Sequence, residues 1–321
     1  MTMVLGMREA GPVSAQLSLM ADTMITRMDR VRNDILPGLL KIITVAEGLS
    51  VAFAGDADRA RALILAARAG YLQDADIDGF IRRLGRETRD GRCEFLVVAT
   101  VDTPILVKLF DGRTAKGGNE YRLGDSAPLK RRIDADRRYG TPGLSAAAKS
   151  RIAFLDLFNE YGVQLAKTVG GFGVVLDCRP GAHIFMDHAV SIPLDNADAA
   201  HIDLDVAEAA GMTQYSAACI ASRWPNAPVL GFYMPQIEVG WIYDPLSEPD
   251  PVQVRGGGAG DLQAEVERRA LAALATFPLG VPKTPVALVT VALTPGQADL
   301  LQGPPNALTV TNLSFRRGSR G

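Results

Sequence analysis

The fold turns on the stretch Lys41–Ile64, KIITVAEGLSVAFAGDADRARALI. It opens with a short apolar run, Lys41–Val45, and turns at Glu47-Gly48. A second run, Leu49–Ala54, is almost continuously apolar, as expected of a strand covered on both faces. Two such runs around a glycine-containing turn read as a strand pair. Gly55 follows, then Asp56 and Asp58, either of which can accept from the free N–H groups of a helix N-terminus. Ala57, Ala60, Ile64 and Ala67 recur at helical spacing, with Gly70 as the expected stop. A second helix is expected on Ile77, Phe80, Ile81 and Leu84, started by Asp74 or Asp76 and ended at Gly85.

Upstream, Met3–Met7 and Leu17–Ala21 are apolar runs joined by the turn-rich REAGPVSAQ, which reads as a first hairpin. Downstream, strands are expected at Cys93–Val101, Ile105–Phe110 and Tyr121–Leu123, with a turn at Asp111-Gly112. DSAPLKRRIDADRRYG interleaves its basic residues with aspartates and has no aromatic stacking set. It reads as a solvated or subunit-contact face, and nucleic acid is not an expected partner. Thr141-Pro142 suits the start of a helix whose buried face is Ala148, Ile152, Leu155 and Phe158. VGGFGVVLDCRPGAHIFMD reads as a hairpin turning at Arg179-Pro180-Gly181.

Beyond residue 190, proline and glycine become frequent and periodicity fades. Gly256–Gly258 form a break before a helix that begins at Asp261 and stacks Leu262, Val266, Ala270 and Leu274. Val286–Leu293 and Leu308–Phe315 are strand-like runs. The expected division is a core over 1–190 and an extension over 191–321.

The 321 residues are enough to bury a large core without disulfides. Basic residues number 34 and acidic residues 36, so no global field draws the chain to nucleic acid or an anionic membrane. Cys93, Cys178 and Cys219 are dispersed and odd in number, which argues against a disulfide framework and for a reducing cytoplasm. Arg8 and Glu9 interrupt the N-terminal segment, so no signal peptide is read there, and no apolar run is long enough to cross a bilayer. His183 and His188, five apart, would face opposite sides of a strand, and the third histidine, His201, lies apart from both. No metal site is expected. RGGGAGD lacks the full dinucleotide fingerprint and a P-loop lysine, so it reads as a linker and no cofactor is expected.

Over residues 2–190, the order of strand pairs, two helices, strands, helix and hairpin resembles the proteasome β-subunit and bacterial ATP-dependent threonine-protease family. LSLMADT (17–23) is similar to that family's strand ending in ADS or ADT, and KIITVAEGLSVAFAGDADRARALI to its lysine-led strand pair and helix. TVGGFGVVLDCRPG (168–181) is similar to its late SGG hairpin. The resemblance implies an α+β N-terminal-nucleophile fold, a four-layer αββα sandwich with two antiparallel sheets. It implies that Thr2 is the nucleophile once Met1 is removed, that Lys41, opening the KI strand, is the ammonium that lowers the pKa of the Thr2 amine, and that Asp22 orients lysine and N-terminus. It places Ser126 near the nucleophile. It also implies a peptide or small amide substrate, a homo-oligomer and an unfoldase partner.

The chemistry explains why such a threonine must be N-terminal: its hydroxyl is a weak nucleophile, and its own α-amine is the base. An unperturbed α-amine has a pKa near ~7.7–8.0, so part of it is neutral at cytoplasmic pH. Two features depart from the pattern. Ala166 and Val169 stand where the family has an aspartate and a serine, and the loop between Met7 and Leu17 is longer than usual. These departures support an alternative: a non-catalytic proteasome-like structural subunit or binding module.

Overall fold

The computed structural model describes residues 2–9, 15–25, 37–101, 103–125, 127, 146–161, 164–166, 169–193 and 214–277. Met1, Ser126, Thr141-Pro142, His201 and the strand-like runs at 286–293 and 308–315 lie outside the described residues. The chain is α+β, built from antiparallel sheets and helices.

Strands β1 (Met3–Glu9) and β2 (Gln16–Asp22) form the first hairpin, with Val4 opposite Ala21. They sit in a five-stranded sheet of order β12-β11-β2-β1-β8, with β8 at Glu120–Gly124, β11 at Gly173–Arg179 and β12 at Ala182–Phe185. A second five-stranded sheet runs β3-β4-β5-β6-β7 in sequence order. Its strands are Ile42–Ala46, Leu49–Gly55, Cys93–Ala99, Ile105–Phe110 and Arg113–Lys116.

The continuous apolar run in β4 has a direct explanation, because successive side chains enter two different cores. Ala52 and Ala54 join Ile42, Leu96, Val98 and Leu106 against the first sheet. Val51 and Phe53 join Ile43, Val45, Phe95 and Val97 under helices α1 (Ala57–Asp74) and α2 (Ile77–Glu87). Gly6 marks the close approach of the two sheets: a Cβ there would sit 2.9 Å from the side chains of both Leu96 and Leu106.

The strand-to-helix step falls where the sequence places it, with Asp56 accepting from the Arg59 N–H at 3.1 Å as N-cap. Two helix ends differ from expectation. α1 runs through Gly70 to a left-handed Ala75. Gly70 serves contact rather than termination, since a Cβ there would lie 1.6 Å from the Arg83 guanidinium, which reaches past it to Asp74. α2 likewise passes Gly85 and ends at Glu87.

Helix α3 (Ala146–Tyr161) packs Phe154 and Phe158 on the first sheet at Gly173. Its buried side is shifted from the expected stripe: Leu155 and Phe158 are buried as expected, Ala148 and Ile152 are only half-buried, and Ala153, Phe154 and Leu157 are buried instead. Short strands β9 (Gln164–Ala166) and β10 (Val169–Gly170) pair with each other.

The region with faded periodicity forms a third antiparallel sheet of order β13-β14-β15-β16-β17. Its strands are Ala189–Pro193, Gln214–Ala221, Leu230–Met234, Val239–Tyr243 and Val252–Arg255. Helix α4 (Ala259–Leu274) covers one face through Leu262, Val266, Ala270 and Leu274, the residues read from the sequence. The other face carries Cys219, Phe232, Trp241 and Tyr243 into the core shared with the first sheet. No helix among the described residues is long and apolar enough to cross a membrane.

Candidate active site

Three of the four residues singled out from the sequence meet at the C-terminal end of β2. Asp22 is fully buried, and Thr2 and Lys41 are each 3 % exposed. Asp22 Oδ1 accepts from the Thr2 hydroxyl at 2.8 Å, from the Met3 N–H at 2.9 Å and from Lys41 Nζ at 2.9 Å. Its other oxygen, Oδ2, accepts from the Gly170 N–H at 3.2 Å. Lys41 Nζ also donates to the Met24 carbonyl. Desolvation by burial lowers the Lys41 pKa below its ordinary value, against the opposing pull of the Asp22 charge.

Each partner is held by its backbone. Thr2 sits at the mouth of β1, where its carbonyl accepts from the Asp125 N–H at 2.7 Å. Gly124 is required there: its φ is +65°, and a Cβ would fall 1.8 Å from the Thr2 carbonyl oxygen. Asp22 lies opposite Gly173 in the β2–β11 register, which brings the chain before β11 within reach of its carboxylate. Met24 N–H donates to the Gly170 carbonyl and Leu39 N–H to the Thr23 carbonyl, so the chain leaving β2 and the chain entering β3 are tied together. Val169 pairs with Ala166 in this neighbourhood and supplies no polar side chain. Ser126 lies outside the described residues.

At the opposite end of β11 lies a second polar cluster that the sequence reading missed. His183 is fully buried, with Nδ1 2.7 Å from the Ser50 hydroxyl and Nε2 2.9 Å from the Thr100 hydroxyl. Thr100 donates its hydroxyl proton to the Arg179 carbonyl. Its oxygen therefore accepts from His183 Nε2–H, which leaves Nδ1 to accept from Ser50 and the Ser50 oxygen to accept from Thr44 at 2.9 Å. Asn226 closes the cluster, its Oδ1 accepting from the N–H groups of Gly48 and His183 at 3.0 and 2.9 Å. Desolvation pushes the His183 pKa down to about 3. Ser50 and His183 stand 133 positions apart, and no local pattern announces their meeting.

His188 follows β12 rather than sharing it, with Nδ1 3.0 Å from the Met186 carbonyl. Among the described residues no cluster of three or more His, Cys, Asp or Glu side chains could hold a metal ion.

No family model and no curated protein matches the chain. Among solved structures it is similar to a Gly-1 mutant of Anbu from Hyphomicrobium sp. strain MC1, at 15 % identity and a TM-score of 0.42, covering 57 % of this chain and 85 % of that one.

Proposed function

We propose that the chain is a proteasome-like threonine-nucleophile amide hydrolase or peptidase, with Thr2 as nucleophile once Met1 is removed. The observation that carries this reading is the sharing of one buried carboxylate oxygen, Asp22 Oδ1, by the Thr2 hydroxyl and the Lys41 ammonium. Its architecture is an αββα sandwich of α1 and α2, the second sheet, the first sheet and α3. Its setting is a cytoplasmic homo-oligomer served by an unfoldase, acting on peptides or small amides.

While Met1 is attached, the Thr2 nitrogen is an amide and has no basic lone pair. Removal of Met1 frees an α-amine beside its own hydroxyl. Thr2 Oγ1 then attacks the substrate carbonyl carbon, and its proton passes to the α-amine. The tetrahedral oxyanion collapses, the α-ammonium protonates the departing amine, and an ester on Thr2 remains. Water, deprotonated by the same α-amine, attacks that ester and restores the hydroxyl. Lys41 supplies fixed positive charge that favours the neutral amine and the developing oxyanion, and Asp22 holds Lys41 in place. Ser126 acts near the nucleophile in this scheme.

A second reading rests on a specific observation: Asp22 accepts from Thr2, Met3, Lys41 and Gly170, and Thr2 and Lys41 are almost wholly enclosed. On that reading the cluster is a structural hub of a non-catalytic subunit. Hydrolysis of fluorogenic peptide amides separates the two. The hydrolase predicts turnover that Thr2→Ala abolishes while the protein stays folded, since the substitution removes the hydroxyl that attacks the carbonyl and carries the acyl group. Equal turnover in Thr2→Ala and wild type refutes it.

A further inference from the structure

The third sheet comes within bonding distance of the chain that carries Lys41. Tyr243, in β16, donates its hydroxyl to the Pro37 carbonyl, four residues before Lys41. The next residue, Gly38, has φ +63°, and a Cβ on it would lie 2.0 Å from the Thr23 carbonyl oxygen. Leu39 N–H donates to that same oxygen at 2.7 Å. Pro37–Leu39 is thus pinned between Thr23, the neighbour of Asp22, and Tyr243.

An aromatic train carries the same support to the other side of Asp22. The Tyr243 ring meets Phe232 edge-on at 6.0 Å, and Phe232 stacks on Phe172 at 4.0 Å with the rings 7° from parallel. Phe172 donates its N–H to the Thr23 hydroxyl at 2.8 Å and accepts from the Thr23 N–H at 3.0 Å. It stands two residues after Gly170, whose N–H reaches Asp22. Each of these rings is almost fully buried. Burial raises the Tyr243 hydroxyl well above the ordinary tyrosine range, an effect the Thr23 side chain partly offsets.

We propose that Tyr243 is a positioning residue for the Thr2–Asp22–Lys41 site, holding Pro37–Leu39 so that Lys41 meets Asp22. The proposal rests on the functional reading above only for the use to which the site is put. The third sheet is then part of the site's housing, and the amine–hydroxyl geometry at Thr2 depends on a residue 241 positions away.

Tyr233 provides a matched control. It lies in the adjacent strand, is also buried, and donates its hydroxyl to a backbone carbonyl, that of Gly257 at 2.7 Å. Its ring packs in the separate core beneath α4. The test is the 13Cε titration of Lys41 in 13C-lysine-labelled full-length protein, assigned with Lys41→Arg and read in Tyr243→Phe and Tyr233→Phe. Among the described residues Asp22 is the charged group bonded to Lys41, and on the functional reading above the α-amine of Thr2 is the other titratable group that Lys41 faces. Tyr243→Phe should move the Lys41 midpoint up toward the ordinary lysine value by about one pH unit or more, as water reaches the ammonium. Tyr233→Phe should leave it at the wild-type value, with both variants similarly shifted in melting temperature. An unshifted Lys41 in Tyr243→Phe, or equal shifts in the two variants, overturns the proposal. The titration is read with or without turnover, so a chain that hydrolyses nothing leaves this test standing.

Discussion

The two ends of β11 carry buried polar clusters of opposite kind. Beside Gly173, Asp22 and Lys41 face each other as ions, with Thr2, Met3, Gly170 and Met24 completing their bonds. Beside Arg179, His183 is a neutral ring between Ser50 and Thr100. Both clusters link the first and second sheets, and both are almost fully buried. A buried ion pair carries a desolvation cost that its mutual attraction offsets only with near-complete hydrogen bonding. A neutral chain of hydroxyls and imidazole provides the same linkage without desolvating ionised groups. The His183 cluster therefore has the chemistry of a joint. The Asp22 cluster buries charge where a joint alone would not need it, beside the one threonine that removal of Met1 would make N-terminal.

The largest predicted effect sharpens that contrast. Asp22→Asn leaves the Lys41 ammonium buried beside a neutral amide, and loss of one member of such a pair costs about 3–5 kcal/mol. Denaturant unfolding should show that loss, and Asp22→Asn combined with Lys41→Met should recover much of it. A loss below about 1 kcal/mol, the range of exposed pairs, would mean the two groups are not paired ions in solution.

At the neutral cluster, Asn226→Ala strips an acceptor from two buried N–H groups, each costing about 1–3 kcal/mol when unsatisfied. Asn226 sits at φ +64°, so Asn226→Gly separates that loss from backbone strain: it keeps the conformation and should be destabilised by a similar amount.

The pH response of the neutral cluster comes next. The folded-state pKa of His183, about 3, lies below its ordinary 6.5, so the unfolded chain binds more protons between those values. The stability it contributes is complete above 6.5 and is lost as pH falls toward 3, at up to about 1.4 kcal/mol per pH unit. Asp187 acts in the opposite sense, because burial, with the Glu267 charge adding to it, pushes its carboxyl up to about 7 against the Ala221 N–H. Its contribution is present below 3.8 and lost as pH rises through 7. The difference between wild type and His183→Gln cancels the Asp187 part. That difference should shrink steadily from pH 6.5 to 4; a constant difference would mean His183 is not held neutral.

The smallest effect on stability is expected at Thr2. Thr2→Ala removes one of three donors to Asp22 Oδ1 and should cost about 1–2 kcal/mol, well below Asp22→Asn.

The legibility of these regions follows from packing. In the first two sheets, β4 and α1 were readable because a strand between two cores stays apolar and a helix over a sheet repeats every three to four residues. In the third sheet frequent glycine and fading periodicity hid the strands. Gly231 and Gly240 each lie under α4, where a Cβ would come within 3.0 Å of Val266 and Leu262 respectively. They are contact surfaces inside β15 and β16, and local sequence does not distinguish that use from a turn. The meeting of Thr2, Asp22 and Lys41 was read from the family resemblance alone, because a hydroxyl, a carboxylate and an ammonium spread over 40 residues have no periodicity. The His183 cluster and Tyr243 were not read at all, since their partners lie 43 to 206 positions away.

The central claim is that Thr2 is a nucleophile with a free amine. A peptide epoxyketone tests it most directly, because its stable ring adduct requires the hydroxyl and the α-amine of the same residue. Protein purified from its native host would be incubated with the reagent, and its intact mass and N-terminal peptide measured. The account predicts a chain lacking Met1 with one reagent attached at Thr2 and no adduct on Thr2→Ala. A chain that retains Met1 and takes up no reagent would contradict it, and the Asp22 cluster would then stand as a structural hub.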